Sequence, residues 1–99
     1  MLDINKKPDG SKLVIELSGR LDTVTSPDLE AELKDSLEGV EDLVMDFKNL
    51  EYISSAGLRV LLTAQKTMNK QGKMTITNVN ETIMEILDIT GFADILTIQ

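Results

Sequence analysis

A five-residue run, Leu43-Val44-Met45-Asp46-Phe47, sets the strongest limit on what this chain can become. One of its residues is charged and the other four are large and apolar. A strand of that composition reads as covered on both faces, because a strand with one wet face would alternate. The run therefore predicts a sheet with helices on both sides, or with helices on one side and a partner on the other. Lys12 to Ser18 follows the alternating pattern instead. Leu13, Ile15 and Leu17 share one face, Lys12, Glu16 and Ser18 fall opposite, and Val14 is the one apolar residue on that outer face. Val14 thus predicts partial cover for the outer face as well.

Three segments with helical periodicity separate the strand candidates. Thr25-Ser26-Pro27-Asp28 supplies hydroxyl caps, a first-turn proline and an acid, and Leu29, Leu33, Leu37 and Val40 follow at helical spacing toward a stop at Gly39. A second helix opens near Ser54 and Ser55, turns Leu58, Leu61, Leu62, Ala64 and Met68 inward, and stops near Gly72. Asn80 caps a third, which carries Ile83, Ile86 and Leu87 and ends at Gly91. Leu2 to Lys7, with a turn at Pro8-Asp9-Gly10, pairs with the alternating strand as a hairpin. Met74 to Thr77 and a stretch within Phe92 to Ile98 complete the strands. The expectation is one α/β domain over residues 1–99. It is a mixed sheet of four to five strands with three helices, in the order β-β-α-β-α-β-α-β, with a final C-terminal helix short or absent.

Composition removes most chemistry. The chain has no Cys and no His, which excludes a disulfide framework, a zinc cluster, a thiol nucleophile and a Ser-His-Asp triad. Ten basic residues against 17 acidic ones, for a net charge of -7, argue against a nucleic-acid or anionic-membrane surface. No apolar run approaches the roughly 20 residues that span a bilayer, and the N-terminal residues lack the apolar core of a signal peptide. A cytoplasmic domain with no membrane insertion is expected. The acidic residues Asp28, Glu30, Glu32, Asp35 and Glu38 read as a solvated helix face, not a metal site.

The turn Ser54-Ser55-Ala56-Gly57 is the most informative segment. One of its serines suits the helix N-cap. The segment has a single glycine and no lysine, so it is not a phosphate-cradling P-loop. Gly-x-Ser-x-Gly is absent and no base accompanies either serine, so it is not a nucleophile elbow and no enzyme is expected. A hydroxyl at a helix start remains a good acceptor for a phosphoryl group, since free N–H groups and the helix dipole favour an added anion.

Tyr52-Ile53-Ser54-Ser55-Ala56-Gly57-Leu58-Arg59-Val60-Leu61-Leu62 resembles the signature of STAS domains of the anti-sigma factor antagonist type. Gly19-Arg20-Leu21-Asp22 resembles the family's G-x-L-D turn, and Thr90-Gly91-Phe92 fits its closing pattern. Nearly the whole chain is covered, with the motifs in order. The resemblance implies a bacterial regulator without a cofactor. Such antagonists bind an anti-sigma factor that is also a serine kinase and so free the sigma factor. The kinase then phosphorylates one serine of the antagonist and ends the binding, and a metal-dependent serine phosphatase restores it. By position in the motif the phosphoacceptor is Ser55, with Ser54 a rival because it stands where many members carry Asp. Asp22 corresponds to the loop aspartate used in kinase recognition, and Ser54, Ala56, Gly57 and Arg59 flank the same docking surface. STAS-like domains also serve as small subunits of lipid-transport ATPases and in stress-signalling scaffolds, which is the alternative role.

Overall fold

The computed structural model describes residues 1–99 and contains four strands, three α-helices and a short 3-10 turn. In chain order these are β1 (Leu2–Asp9), β2 (Lys12–Leu21), α1 (Ser26–Ser36), β3 (Asp42–Ile53), α2 (Ser55–Gln71), β4 (Lys73–Thr77) and α3 (Glu81–Thr90), followed by the turn Phe92–Asp94. The sheet order is β1-β2-β3-β4, with β1 antiparallel to β2 and the remaining pairs parallel. The expected α/β fold with a mixed sheet is the one observed.

Register explains where the core lies. Leu13, Leu43 and Met74 lie side by side across β2, β3 and β4, and Ile15, Met45 and Ile76 form the next row. Every one of these side chains is buried, and all join a single apolar cluster with Leu29, Leu33, Leu61, Met68, Ile83 and Leu87 from the helices. The opposite face carries Lys12, Val14 and Glu16 beside Asp42, Val44 and Asp46, all half-buried or exposed. So within this chain β3 is covered on one face only, which removes the first of the two expected arrangements, helices on both sides. Val44 alone makes the run look continuous, and it lies directly across from Val14. The two branched side chains shelter one another on the pleated surface, which is a favourable cross-strand pair without any covering layer.

Beyond Phe47 the strand departs from period two. Buried residues fall at Leu43, Met45, Phe47, Leu50 and Ile53. The spacing lengthens where the pairing with β2 slips between Glu16 and Ser18 and again between Gly19 and Arg20. Each slip inserts one extra residue in β3, and such bulges re-aim the residues that follow. They keep the strand on the core as far as the start of α2.

The chain end differs from the strand expected within Phe92 to Ile98. Gly91 adopts the left-handed conformation (φ 81°), Phe92–Asp94 make a 3-10 turn, and Leu96 is buried. What remains is one parallel bridge of Ile98 to Ile76, with Ile76 N–H donating to Thr97 O at 2.8 Å and Gln99 N–H to Ile76 O at 2.9 Å. The compact turn leaves too few extended residues for a ladder. α1 also ends earlier than expected, at Ser36. Leu37 and Val40 are buried beyond it, in a turn that Gln71 Nε2 ties down through their carbonyls, both at 2.6 Å.

The cap of α3 is as expected. Asn80 Oδ1 accepts from Ile83 N–H at 2.9 Å, and its Nδ2 donates to Leu50 O at 2.8 Å, which fastens the helix to β3. Asn80→Ala removes both bonds, and urea unfolding should show a loss of about 1–2 kcal/mol with an unchanged slope. An unaltered midpoint would remove this cap from the forces that hold α3 in place.

Candidate functional site

The site forms where β2 and β3 end side by side. Ser54 N–H donates to Leu21 O at 2.8 Å, so the loop entering α2 is bonded to the loop entering α1. Gly57, in the first turn of α2, is buried against the same residue. A Cβ added at Gly57 would lie 2.7 Å from Leu21 Cγ and 3.0 Å from Leu21 O. No side chain fits there without moving buried Leu21, and this accounts for the glycine in the Ser-Ser-Ala-Gly turn.

The two adjacent serines have different environments. Ser54 is the N-cap, with extended backbone (φ -90°, ψ 173°), and its Oγ accepts from Gly57 N–H at 3.3 Å. Ser55 is the first helical residue; its side chain is exposed and bonded to nothing in the protein. Helical geometry gives the N–H groups of Ser55 and Ala56 no acceptor in a preceding turn. An anion attached to Ser55 would sit beside these donors, at the positive end of the helix.

Asp22 is half-buried and holds the neighbouring loop. Its Oδ1 accepts from Val24 N–H and Thr25 N–H, both at 3.0 Å, while Thr25 Oγ1 accepts from Asp22 N–H at 2.9 Å and donates to Arg20 O at 2.7 Å. The backbone N–H of Thr25, more than any other group, holds the Asp22 carboxyl below its ordinary value. Partial desolvation opposes it, and the Thr25 hydroxyl and Val24 N–H add to the lowering. The pinned loop leaves Val24 82% exposed at its tip.

The residues read from the sequence are thus brought together, though in unlike roles. Asp22, Ser55 and Arg59 present polar groups at one end of the molecule, and Ala56 is half-buried between them. Gly57 is buried and acts through packing. A cleft of about 360 Å³ between the starts of α1 and α2 is lined in part by Thr23, Ser26, Ala56 and Arg59. Two further side chains were not among the sequence-derived site residues. The Arg20 guanidinium lies 4.4 Å above the Tyr52 ring and its Nε 3.8 Å from Asp22 Oδ2. Their meeting follows from the Arg20–Tyr52 register, which a bulge sets and no sequence spacing reveals. No helix is long and apolar enough to cross a membrane, and no cluster of three or more Asp and Glu side chains has the arrangement to hold a metal ion.

This geometry is that of a small α/β domain with an exposed serine at a helix start beside a pinned aspartate loop. The model of the STAS domain matches residues 3–99, and the chain belongs to that family. An anti-sigma F factor antagonist from Paenibacillus polymyxa is 32% identical over 100 residues, which span 98% of this chain and 86% of the relative. The crystal structure of an anti-sigma factor antagonist from Mycobacterium paratuberculosis superimposes with a TM-score of 0.88 at 20% identity, covering 99% of this chain and 85% of that one. The phosphorylated form of the Bacillus cell fate determinant SpoIIAA gives a TM-score of 0.76 at 17% identity, covering 98% and 91%. Both structural likenesses concern the fold.

The unlike environments of the two serines are measurable. Ser54→Ala should lower stability in urea by about 1 kcal/mol through the lost cap, whereas Ser55→Ala should stay within about 0.5 kcal/mol of the parent. Equal losses would contradict the assignment of the cap to Ser54. For Asp22 the folded pKa lies below the unfolded one, so its contribution is present above the unfolded value and is lost as pH falls through the folded value. Hydrogen-exchange protection at Val24 and Thr25 should hold from neutral pH past the ordinary carboxylate value and decline only below it. Asp22→Asn should abolish that decline; its persistence in the variant would point to another group.

Proposed function

We propose that the chain is a cytoplasmic anti-sigma factor antagonist that works by partner switching. The surface formed by Ser55, Ala56, Arg59 and the Asp22 loop binds an anti-sigma factor that is also a serine kinase, and this binding frees a sigma factor. Phosphorylation of Ser55 ends the binding, and a serine phosphatase resets it. In this reading the chain is a ligand and a substrate and catalyses nothing itself. The Ser55 hydroxyl oxygen forms a bond to the γ-phosphorus of ATP held by the kinase, the bond to the bridging oxygen breaks, ADP leaves, and the hydroxyl proton passes to a base on the kinase.

The observation that carries this reading is the division of labour at the turn. The Ser54 hydroxyl is used as a cap, while the Ser55 hydroxyl is exposed and free. A kinase can therefore take Ser55 without dismantling the helix. The relative from Paenibacillus polymyxa supports an antagonist role by its description, and SpoIIAA is a protein of this fold described in a phosphorylated form.

The physics suffices for a switch without refolding. Phosphorylation adds about -1.5 to -2 charges at neutral pH. A partner that buries the neutral hydroxyl, or presents carboxylates to it, would have to accommodate a dianion for which it supplies no counter-charge. Such a charge at an interface weakens binding by about 2–5 kcal/mol, roughly 30- to several-thousand-fold. The chain's net charge of -7 changes little by comparison, so the position of the new charge governs the effect.

Incubation with candidate serine kinases and ATP, read by intact mass and phosphopeptide mapping, should place one phosphate on Ser55. In titration calorimetry with that kinase, Ser55→Asp should bind at least about 30-fold more weakly. Ser55→Ala should bind like the parent and take up no phosphate. A label on Ser54, or undiminished binding by Ser55→Asp, would overturn the assignment.

A further inference from the structure

Resting on the reading of Ser55 as the phosphoacceptor, we infer that Arg59 is the residue that holds the phosphate, a role distinct from contact with a partner. Ser55 and Arg59 stand four residues apart in the same unbroken helix, α2. Residues at that spacing share one face, with a rise of about 6 Å between them. Helical Cα–Cβ bonds tilt toward the N-terminus, so a long side chain covers the turn before its own Cα. For Arg59 that turn contains Ser55.

Arg59 is also uncommitted. It is exposed, and it takes no part in the three ion pairs of the structure, which join Lys6 to Glu32, Lys7 to Glu16 and Arg20 to Asp22. α2 contains no Asp or Glu that could pair with it along the helix. Glu30 lines the same cleft from α1, yet no carboxylate oxygen comes within 4.0 Å of the Arg59 guanidinium. Arg20, the other nearby cation, is already stacked on Tyr52 and directed at Asp22. A planar guanidinium can meet two phosphate oxygens with two parallel N–H donors, a geometric match that a lysine ammonium lacks.

The consequence concerns the quality of the switch. An unheld phosphoserine at an exposed position would sample many directions and would titrate partly to the monoanion near neutral pH. Held by Arg59, it is shifted further toward the dianion and lies along the first turn of α2, over the edge of the cleft. The modified surface is then as well defined as the unmodified one, which favours both exclusion of the kinase and recognition by a phosphatase.

The test uses the full chain with phosphoserine placed genetically at position 55, which needs no kinase. Phosphorus-31 NMR titration reads the second pKa of the phosphate in this protein and in its Arg59→Gln, Arg59→Lys and Arg20→Gln variants. Arg59→Gln should raise that pKa by about 0.3–0.6 unit, Arg59→Lys should recover part of the difference, and Arg20→Gln should change it little. Agreement between the parent and Arg59→Gln within about 0.1 unit, or a larger effect from Arg20→Gln, would overturn the inference. Urea unfolding of unphosphorylated Arg59→Gln should match the parent, which separates pairing from a general loss of structure. A negative titration would leave kinase labelling of Ser55 intact. Failure of that labelling would leave the titration result standing, so the two ideas fail separately.

Discussion

The seam between the end of β2 and the start of α2 holds the functional end of this molecule together. It consists of one hydrogen bond, from Ser54 N–H to Leu21 O, and one close contact, Gly57 against the Leu21 side chain. Leu21 is fully buried and belongs to the single core cluster. Its neighbour Asp22 begins the loop that Thr25 fastens. Through this seam the packing of the sheet fixes the position of an exposed serine relative to an aspartate more than thirty residues away in sequence. A displaced Leu21 would disturb both loops together.

The proposed switch would leave this seam, and with it the fold, unaltered. Buried and half-buried groups perform the structural work: the Ser54 cap, the Gly57 contact and the Asp22–Thr25 bonds. The group assigned to modification touches none of them. A charge added at an exposed first helical residue meets free N–H donors and favourable dipole orientation, so the modified domain should be no less stable. The free-energy change then appears in association, where desolvating an added dianion that the partner does not neutralise is costly.

Much of this was legible in the sequence because the deciding forces are local. Asn80 caps α3 as its side-chain chemistry requires, and one of the two serines at the start of α2 caps that helix. Gly91 ends α3 in the left-handed conformation that glycine tolerates best. The Ser-Ser-Ala-Gly turn marked the candidate site for the same reason. The apolar run in β3 misled, since period-two burial tolerates one branched residue on the open face when a cross-strand neighbour shelters it. The strand beyond Phe47 was hidden by two bulges, which replace a spacing of two with one of three. The closing segment, rich in Ile and Leu, read as a strand. It instead fills the end of the core with Leu96 and retains one bridge to β4.

By itself, the sequence determined the class of fold, the order of the elements as far as α3, the cap of α3 and the turn that carries the serines. Each of these depends on neighbours a few residues apart. α1 departs from it, since Thr25 makes no side-chain cap bond and the helix stops at Ser36. Only the tertiary structure decided which face of the sheet is covered, which serine is free and which cation stands uncommitted beside it. Those outcomes depend on register between β2 and β3, set by bulges that a linear pattern does not record. The distinction between Ser54 and Ser55 shows the reason most directly. The two residues are chemically identical and adjacent, and they differ only in which hydroxyl faces the first turn of a helix seated against Leu21.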